Sequence, residues 1–482
     1  MKPFQIFNTL SRRVEEVQPL NPPAITLYSC GPTVYLAPHL GNLRAYVFVD
    51  TLRRVLEYNG FEVRHAMNVT DVGHMTSDAD SGEDKIEKSA RAQGKAPIEI
   101  ANFYLDWFRR DIAALNIEMP DVLCRATENI DAMIELIARI MDRGYAYAVT
   151  SGVYFDVEKW RGTVRTGRLS RQSLDEQDAG NRLDHASDKH SPHDFALWVL
   201  NQPGHLMQWD SPWGRGYPGW HIECSAMSMK YLGETIDIHT GGLDHIAIHH
   251  ENEIAQSEAA TGHPFVRYFV HNAFMVGMEG VKLSKSGGRF PVLDDLRTAG
   301  YDPLAFRLLC LGAKYRSEIA FSDEAVGAAQ SNLDYLAQFA RDLPDDQAEA
   351  PDSEWAAQYA ARFHEAINDD LNTPRALAAA IELVTEAYRR GDRAVWATLR
   401  NFDRVLGLDL ELRREQARGQ FPPDIQALID ERARVRAAHD FKRSDELRDE
   451  LAVRGYETKD TREGSTYLAR HGIAPDQGAR RA

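Results

Sequence analysis

Hydrophobic and polar positions alternate in a few recurring patterns along the chain. Ile25 to Tyr28 form a short apolar run, followed by a Gly/Pro loop. Beyond the loop, Leu43, Val47, Leu52, Val55 and Leu56 recur at helical spacing. Asn59-Gly60 closes that helix, and "FEVRHAMNV" predicts a second strand. Strand, helix, strand is a βαβ opening, which predicts a parallel, doubly wound sheet. The same pattern returns far downstream. "ETIDIHTGG" reads as a strand with a glycine-rich exit, a short helix follows it, and "RYFVHNAFMV" reads as another strand.

The stretch between is loop-rich and polar, as in "RTGRLSRQSLDEQDAGNRLDHASDKHSPHD". It predicts an insertion between two halves of one nucleotide-binding fold. After about residue 290 the pattern is mostly helical, "AEAPDSEW" reads as a linker, and "GQFPPDIQ" introduces a last small unit. The expected fold class is α/β. A Rossmann-like fold takes residues 1–120 and 206–275, with an insertion at 121–205 and a connecting region at 276–350. An α-helical bundle at 351–418 and a small C-terminal unit at 419–482 complete it.

Composition narrows the class. The chain has 482 residues, 43% hydrophobic and 27% charged, in the range of ordinary globular proteins and enough for several domains. No run is long and apolar enough to span a membrane, and "MKPFQIFNTLSRRVEE" has no signal-peptide core. A cytoplasmic location is therefore expected. The four cysteines, Cys30, Cys124, Cys224 and Cys310, are far apart, which reads as reduced thiols rather than a disulfide framework. The net charge of −16 argues against a protein that simply coats nucleic acid. Residues 411–482, however, carry 15 Lys+Arg against 14 Asp+Glu, so the rest of the chain holds −17. Arg432, Arg434, Arg436 and Arg443 in that tail are expected to be free to meet a polyanion.

Three stretches carry candidate chemistry. "LDHIAIHHENEIAQSEAATG" sets His249, His250 and three glutamates around a short apolar helix pattern, which raises the question of a metal. The second histidine of H-E-x-x-H is missing, so a zinc-protease site is not expected. "APHLGNLR" sets His39, Gly41 and Asn42 at a strand-to-helix turn, where a helix N-terminus can meet phosphate. "VKLSKSGGRF" sets Lys282 and Lys285 in a Ser/Gly loop able to neutralise a triphosphate.

Together "HLGN" and "KLSKS" resemble the HIGH and KMSKS signatures of class I aminoacyl-tRNA synthetases, with Leu40 for Ile, Asn42 for the final His and Leu283 for Met. "LYSCGPTVY", "NVTDVGHMTSDADSGEDK", "DFALW", "WDSPWGRGYPGWHIECSAMS" and "HHENEIAQS" resemble the cysteinyl-tRNA synthetase family, from about residue 5 into the last 30 residues. That resemblance implies ATP-dependent activation of L-cysteine and its transfer to the 3′ end of tRNA(Cys), with one Zn²⁺ per chain and Mg²⁺ with ATP. It implies zinc ligands at Cys30, Cys224, His249 and Glu253. Spacing agrees, since His249 and Glu253 are i and i+4 on one helix face, and a Cys/Cys/His/Glu set suits zinc.

The resemblance also implies catalytic roles for His39, Asn42, Lys282 and Lys285. ATP contacts are implied at His39, Gly41, Asn42, Gly241, Gly242, Asp244 and Lys285, and cysteine contacts at Thr33, Thr70, Trp220 and His239. His250 and Glu251 are read as supporting or surface residues, and Cys124 and Cys310 as small buried hydrophobes. The chain departs from the family pattern at Gly287, Arg289 and Val199. The bundle and the C-terminal unit are expected to bind tRNA and its anticodon, and the protein is expected to be a monomer. Two alternatives stay open: a cysteine ligase acting on a small amine, which needs no anticodon-reading domain, and a catalytically inactive tRNA-binding paralogue.

Overall fold

The computed structural model describes residues 2–73, 85–163, 167–171, 188–200, 202, 205–277, 291–417, 421–454, 456–461 and 464–469. The chain begins with a hairpin, β1 (Gln5–Asn8) and β2 (Arg13–Glu16). The apolar run at Ile25 becomes β3 (Ala24–Ser29), the middle strand of a five-stranded parallel sheet. Its partners are β4 (Glu62–Val69), β5 (Val122–Arg125), β10 (Ile236–Gly242) and β11 (Val266–Asn272), in the order β11-β10-β3-β4-β5. Ile25, Leu27 and Tyr28 are all fully buried, as expected for a strand covered on both faces. On one face the Leu40–Tyr58 helix packs Leu52, Val55 and Leu56 against Ile25 and Leu27. On the other, Cys224 and Ile254, from the Trp220–Leu232 and His249–Thr261 helices, join Tyr28, Ala66 and Phe269.

The strand order reverses direction between β3 and β10, and doubly wound sheets bind ligands at the carboxyl ends of the strands at that point. Between β5 and β10 lies a four-stranded antiparallel sheet, β6 (Ala146–Val149), β7 (Gly152–Phe155), β8 (Phe195–Leu200) and β9 (Gly216–Pro218). β5 and β9 thus fall across the 121 and 205 limits read from sequence. Strands of four and three residues are too short to show a period.

Beyond β11, β12 (Met275–Val276) pairs in parallel with β13 (Ile319–Ala320). The bundle helices Asp323–Asp342, Ala357–Ile367, Thr373–Arg390 and Trp396–Leu406 share one continuous core with β3 and the Leu40–Tyr58 helix. The last unit has two helices, Pro423–Ala437 and Phe441–Val453, and a hairpin of β14 (Tyr456–Thr461) and β15 (Gly464–Ala469). Its own small core is Ile425, Ile429, Leu451 and Tyr456. Among the described residues no helix is long and apolar enough to cross a membrane.

Candidate active site

A cavity of about 780 Å³ opens over the carboxyl ends of β3, β4, β10 and β11. One end is the cluster expected from sequence. Cys30 directly follows β3, and its N–H donates to the Thr240 carbonyl at 3.4 Å. Gly31 comes next, where a Cβ would stand 1.8 Å from the Asn68 carbonyl oxygen, so no side chain fits. Cys224 lies in the second turn of the Trp220–Leu232 helix, and His249 and Glu253 are one turn apart at the start of theirs. One ligand atom from each of Cys30, Cys224, His249 and Glu253 lies within 4.8 Å of all the others.

The donor set fits a metal. Glu253 is fully buried, and its Oε1 has no hydrogen-bond donor aligned on it, although His249 Nε2 is 3.0 Å away. Two ligand atoms this close without hydrogen-bond alignment are arranged as if facing a third partner. The outer atoms are held: His239 Nε2 lies 2.8 Å from Glu253 Oε2, and His221 Nδ1 lies 2.8 Å from His249 Nδ1. Such supporting contacts orient ligands in metal sites. With two thiols, an imidazole and a carboxylate, the cluster is compatible with zinc.

Electrostatics within the cluster are strong. Contact with Cys224 pulls the Cys30 thiol well below its ordinary range, and the same contact, with burial, pushes Cys224 well above it. Burial disfavours a charged His249, but the Glu253 carboxylate outweighs it and raises the imidazole to about 10. Burial and the neighbouring His239 push His250 down to about 4.

His250 is neither exposed nor peripheral. It is fully buried, its Nε2 is 3.5 Å from Cys30 Sγ, and its Nδ1 is 2.8 Å from His271 Nε2. Cys30, His239, His250 and Glu253 form a second, overlapping group of close ligand atoms. Glu251 instead accepts the backbone N–H groups of Leu169 and Ser170, a contact between loop and helix. His221 and His271 carried no signal in sequence, because only the fold brings them against His249 and His250.

The rest of the cavity is built from helix and strand ends. His39 caps the Leu40–Tyr58 helix. Its Nδ1 accepts the Asn42 N–H at 3.2 Å, and the Asn42 side-chain oxygen accepts the His39 N–H at 3.3 Å. "HLGN" therefore forms a capping box, with Gly41 and Asn42 lining the cavity at the helix's positive end. Gly241, Gly242 and Asp244 line it from the end of β10. A Cβ on Gly241 would lie 2.7 Å from His245 Nδ1 and from His250 Cε1, so the histidine layer requires glycine there. Thr33 and Thr70 pair across a backbone bridge and both line the cavity, as does Trp220, whose ring lies 4.4 Å from that of His249.

His239, expected at the substrate, is fully buried and stands behind Glu253 instead. The strand alternation that brings Thr240 to the cavity turns the preceding residue into the core. Lys282, Lys285 and the departures Gly287 and Arg289 lie outside the described residues. Cys124 is buried, and burial raises the thiols of Cys124 and Cys310 to about 12.

Comparison with known proteins bears on this geometry. Residues 16–331 match the family of tRNA synthetases class I (C) catalytic domains, residues 362–411 a DALR domain, and residues 418–467 the cysteinyl-tRNA ligase anticodon binding domain. The chain is 46% identical to cysteine–tRNA ligase 1 of Burkholderia lata, over 96% of each chain. It is 43% identical to the cysteine–tRNA ligase of Chlorobaculum tepidum, over 97% of this chain and 99% of that one. In fold it is similar to Mycobacterium tuberculosis methionyl-tRNA synthetase in complex with methionyl-adenylate. The TM-score is 0.56 at 15% identity, covering 84% of this chain and 96% of that one.

Proposed function

The chain belongs to the cysteinyl-tRNA synthetase family, and from that premise we propose how its residues divide the work. As a cysteine–tRNA ligase it activates cysteine with ATP and charges tRNA with it. The convergence of Cys30, Cys224, His249 and Glu253 at one end of the cavity carries the reading of how cysteine is chosen. These four residues would hold one Zn²⁺, and when bound it supplies a soft Lewis acid for the substrate sulfur. Serine offers a harder, less acidic hydroxyl to the same place. Shape alone separates such near-isosteres by only about 10- to 200-fold.

Trp220 covers the thiol end, and Thr33 and Thr70 take the polar groups of cysteine. Gly241 and Gly242 let adenosine approach the backbone, with Asp244 at the ribose. His39, Gly41 and Asn42 set the positive helix end against the phosphates of ATP, which enters with Mg²⁺. Lys282 and Lys285 neutralise charge that builds on the α-phosphate as the cysteine carboxylate attacks in line and pyrophosphate leaves. His239 positions Glu253 from behind. The bundle and the C-terminal unit receive the tRNA, and the chain acts as a monomer in the cytoplasm.

ATP–pyrophosphate exchange with cysteine, with serine and with no amino acid tests the reading, followed by tRNA charging. Cysteine should drive exchange, and serine should trail it by more than the roughly 200-fold that shape supplies. Equal exchange with both would remove the metal from substrate selection. Exchange with cysteine but no charging of tRNA would favour the small-amine ligase.

A further inference from the structure

The Pro97–Ala114 helix walls one side of the cavity, and none of the groups assigned to cysteine or ATP comes from it. Tyr104, Trp107 and Phe108 line the cavity, and Phe103 continues the row to the surface, where it is 46% exposed. Positions 103 and 107 are i and i+4, and 104 and 107 are i and i+3, so these rings share one helix face. Phe103 meets the other two edge-on, at 79° and 5.1 Å from Tyr104 and at 78° and 5.9 Å from Trp107. Tyr104 and Trp107 lie within 27° of parallel. Cations sit over two of the rings: Lys95 Nζ is 5.2 Å from the Phe103 centroid, and Arg110 Cζ is 4.8 Å from that of Trp107. Asp111 and Asp294 hold Arg110 at 3.1 and 2.7 Å.

Core packing accounts for part of this row. Tyr104 packs on a small cluster of Ile86, Ala90 and Ile100, between this helix and the Lys85–Gln93 helix. Phe103 takes no part in that cluster. The buried Nε1–H of Trp107 meets no acceptor among the described residues, a cost that a bound acceptor would remove. Charging brings the unpaired 3′ end of tRNA to the same cavity, since cysteine is activated there. Aromatic rings with cations beside them are what holds single-stranded nucleic acid, because every base has a face to stack and every nucleotide a phosphate. Base edges and phosphates also offer acceptors to an indole N–H. We propose that Phe103, Tyr104 and Trp107, with Lys95, form a platform on which the last unpaired bases of tRNA stack as the 3′ end enters the cavity. The inference rests on the reading that cysteine is activated in this cavity.

Phe103 is the residue to change, because it is exposed and does not line the cavity. Phe103→Leu keeps an apolar side chain and removes the stacking face, whereas Phe103→Tyr keeps the face. Charging of tRNA and pyrophosphate exchange with cysteine are measured on the same full-length, zinc-loaded sample. Relative to exchange, kcat/KM for charging should fall about fivefold or more in Phe103→Leu, the size of one lost base stack, and stay within about twofold of wild type in Phe103→Tyr. Transfer RNA lacking its unpaired 3′ nucleotides, used as an inhibitor of charging, should have the same Ki against all three proteins, since it has nothing to stack. Lys95→Gln should lower the slope of log kcat/KM for charging against log salt by about 0.7, the value of one single-strand phosphate contact. Equal losses in Phe103→Leu and Phe103→Tyr would show that stacking is not what the ring supplies. A raised Ki for the truncated tRNA would move the contact to another part of that molecule. Normal charging by Phe103→Leu with a changed sedimentation coefficient would make the patch an interface with a second copy of this chain. Each of these outcomes, an unchanged salt slope in Lys95→Gln, or no change in any measure overturns the proposal. Wild-type enzyme that exchanges nothing with cysteine or charges no tRNA would instead overturn the functional reading, a failure visible before any variant is made.

Discussion

A thiol at position 224 provides what a hydroxyl cannot, a soft ligand within 4.8 Å of the Cys30 sulfur. Cys224→Ser should therefore lower zinc content far below one equivalent and remove most cysteine-dependent exchange, read by metal analysis and exchange on the same sample. Full zinc with normal exchange would make Cys224 a core residue. Asn42 tests the opposite end of the cavity. Its side chain closes the capping box on His39, so Asn42→Ala should cost about 1 kcal/mol of stability in a denaturant melt. It should also slow adenylate formation, and a slower rate with unchanged stability would mean a phosphate contact without a capping role. His249 and Glu253 were legible because both sit on one helix, where i and i+4 spacing fixes their mutual position. Cys30 and Cys224 were legible only through resemblance, since their distance in sequence says nothing about their distance in space. His221 and His271 were not legible, because each is a common polar residue until the fold shows what it touches.

Helices meet at one buried charge. Asp50, on the helix that begins at the "HLGN" turn, accepts from Arg307 Nη2 at 2.5 Å and Arg54 Nε at 2.8 Å. Arg307, fully buried on the Pro303–Leu311 helix, also donates to the carbonyls of Leu406, Leu115 and Asn116. Burial opposes a charged Asp50, but Arg307 and Arg54 outweigh it and hold the carboxyl below the usual range. Removing one partner of a buried pair leaves an uncompensated charge, so Arg307→Leu should cost about 3–5 kcal/mol. A loss below about 1 kcal/mol in a denaturant melt would show that Arg54 alone suffices. Asp403, on the Trp396–Leu406 helix, behaves in the opposite way. Burial raises its carboxyl to about 6, although it accepts the Leu410 and Leu408 N–H groups. The folded state then binds this proton more tightly than the unfolded chain, whose Asp titrates near 3.9, so stability falls as pH rises from about 4 to 6. Asp403→Asn should flatten that part of the pH–stability curve, and an unchanged slope would assign it to another group. The helices around these residues were legible in their periodicity. Their shared charge was not, since sequence spacing carries no information on which helices meet.

At the scale of the whole molecule, the tRNA-facing half is not one detachable piece. The expectation of four free arginines in the tail is corrected by the fold. Arg432 is buried against Asp460, Arg436 pairs with the same carboxylate at 2.8 Å, and Arg443 pairs with Glu431 and Glu446. Among the described residues, Arg434 bonds to the Asp430 carbonyl of its own helix, at 3.4 Å. The near-neutral tail thus builds a folded unit first. That unit has its own core, whereas the bundle shares one with β3 and the Leu40–Tyr58 helix. The N-terminal hairpin is clamped to the bundle too, since Asp370 accepts the Phe7 N–H at 2.8 Å and the Tyr315 hydroxyl at 2.7 Å. A cut after residue 350 would remove the bundle's share of that continuous core, from Ala356 to Leu410, and leave Arg307 without its Leu406 acceptor. That fragment should aggregate rather than activate cysteine. A cut after residue 417 leaves the shared core whole and removes the region that matches an anticodon binding domain, with the 15 residues after it. This shorter chain should exchange pyrophosphate with cysteine at the full-length rate while its charging of tRNA falls. Its remaining charging should depend less steeply on salt, because phosphate contacts set that slope. Full charging at an unchanged salt slope would show that the C-terminal unit reads no tRNA. A well-behaved, active fragment ending at residue 350 would show that the shared core is not what holds the catalytic half together.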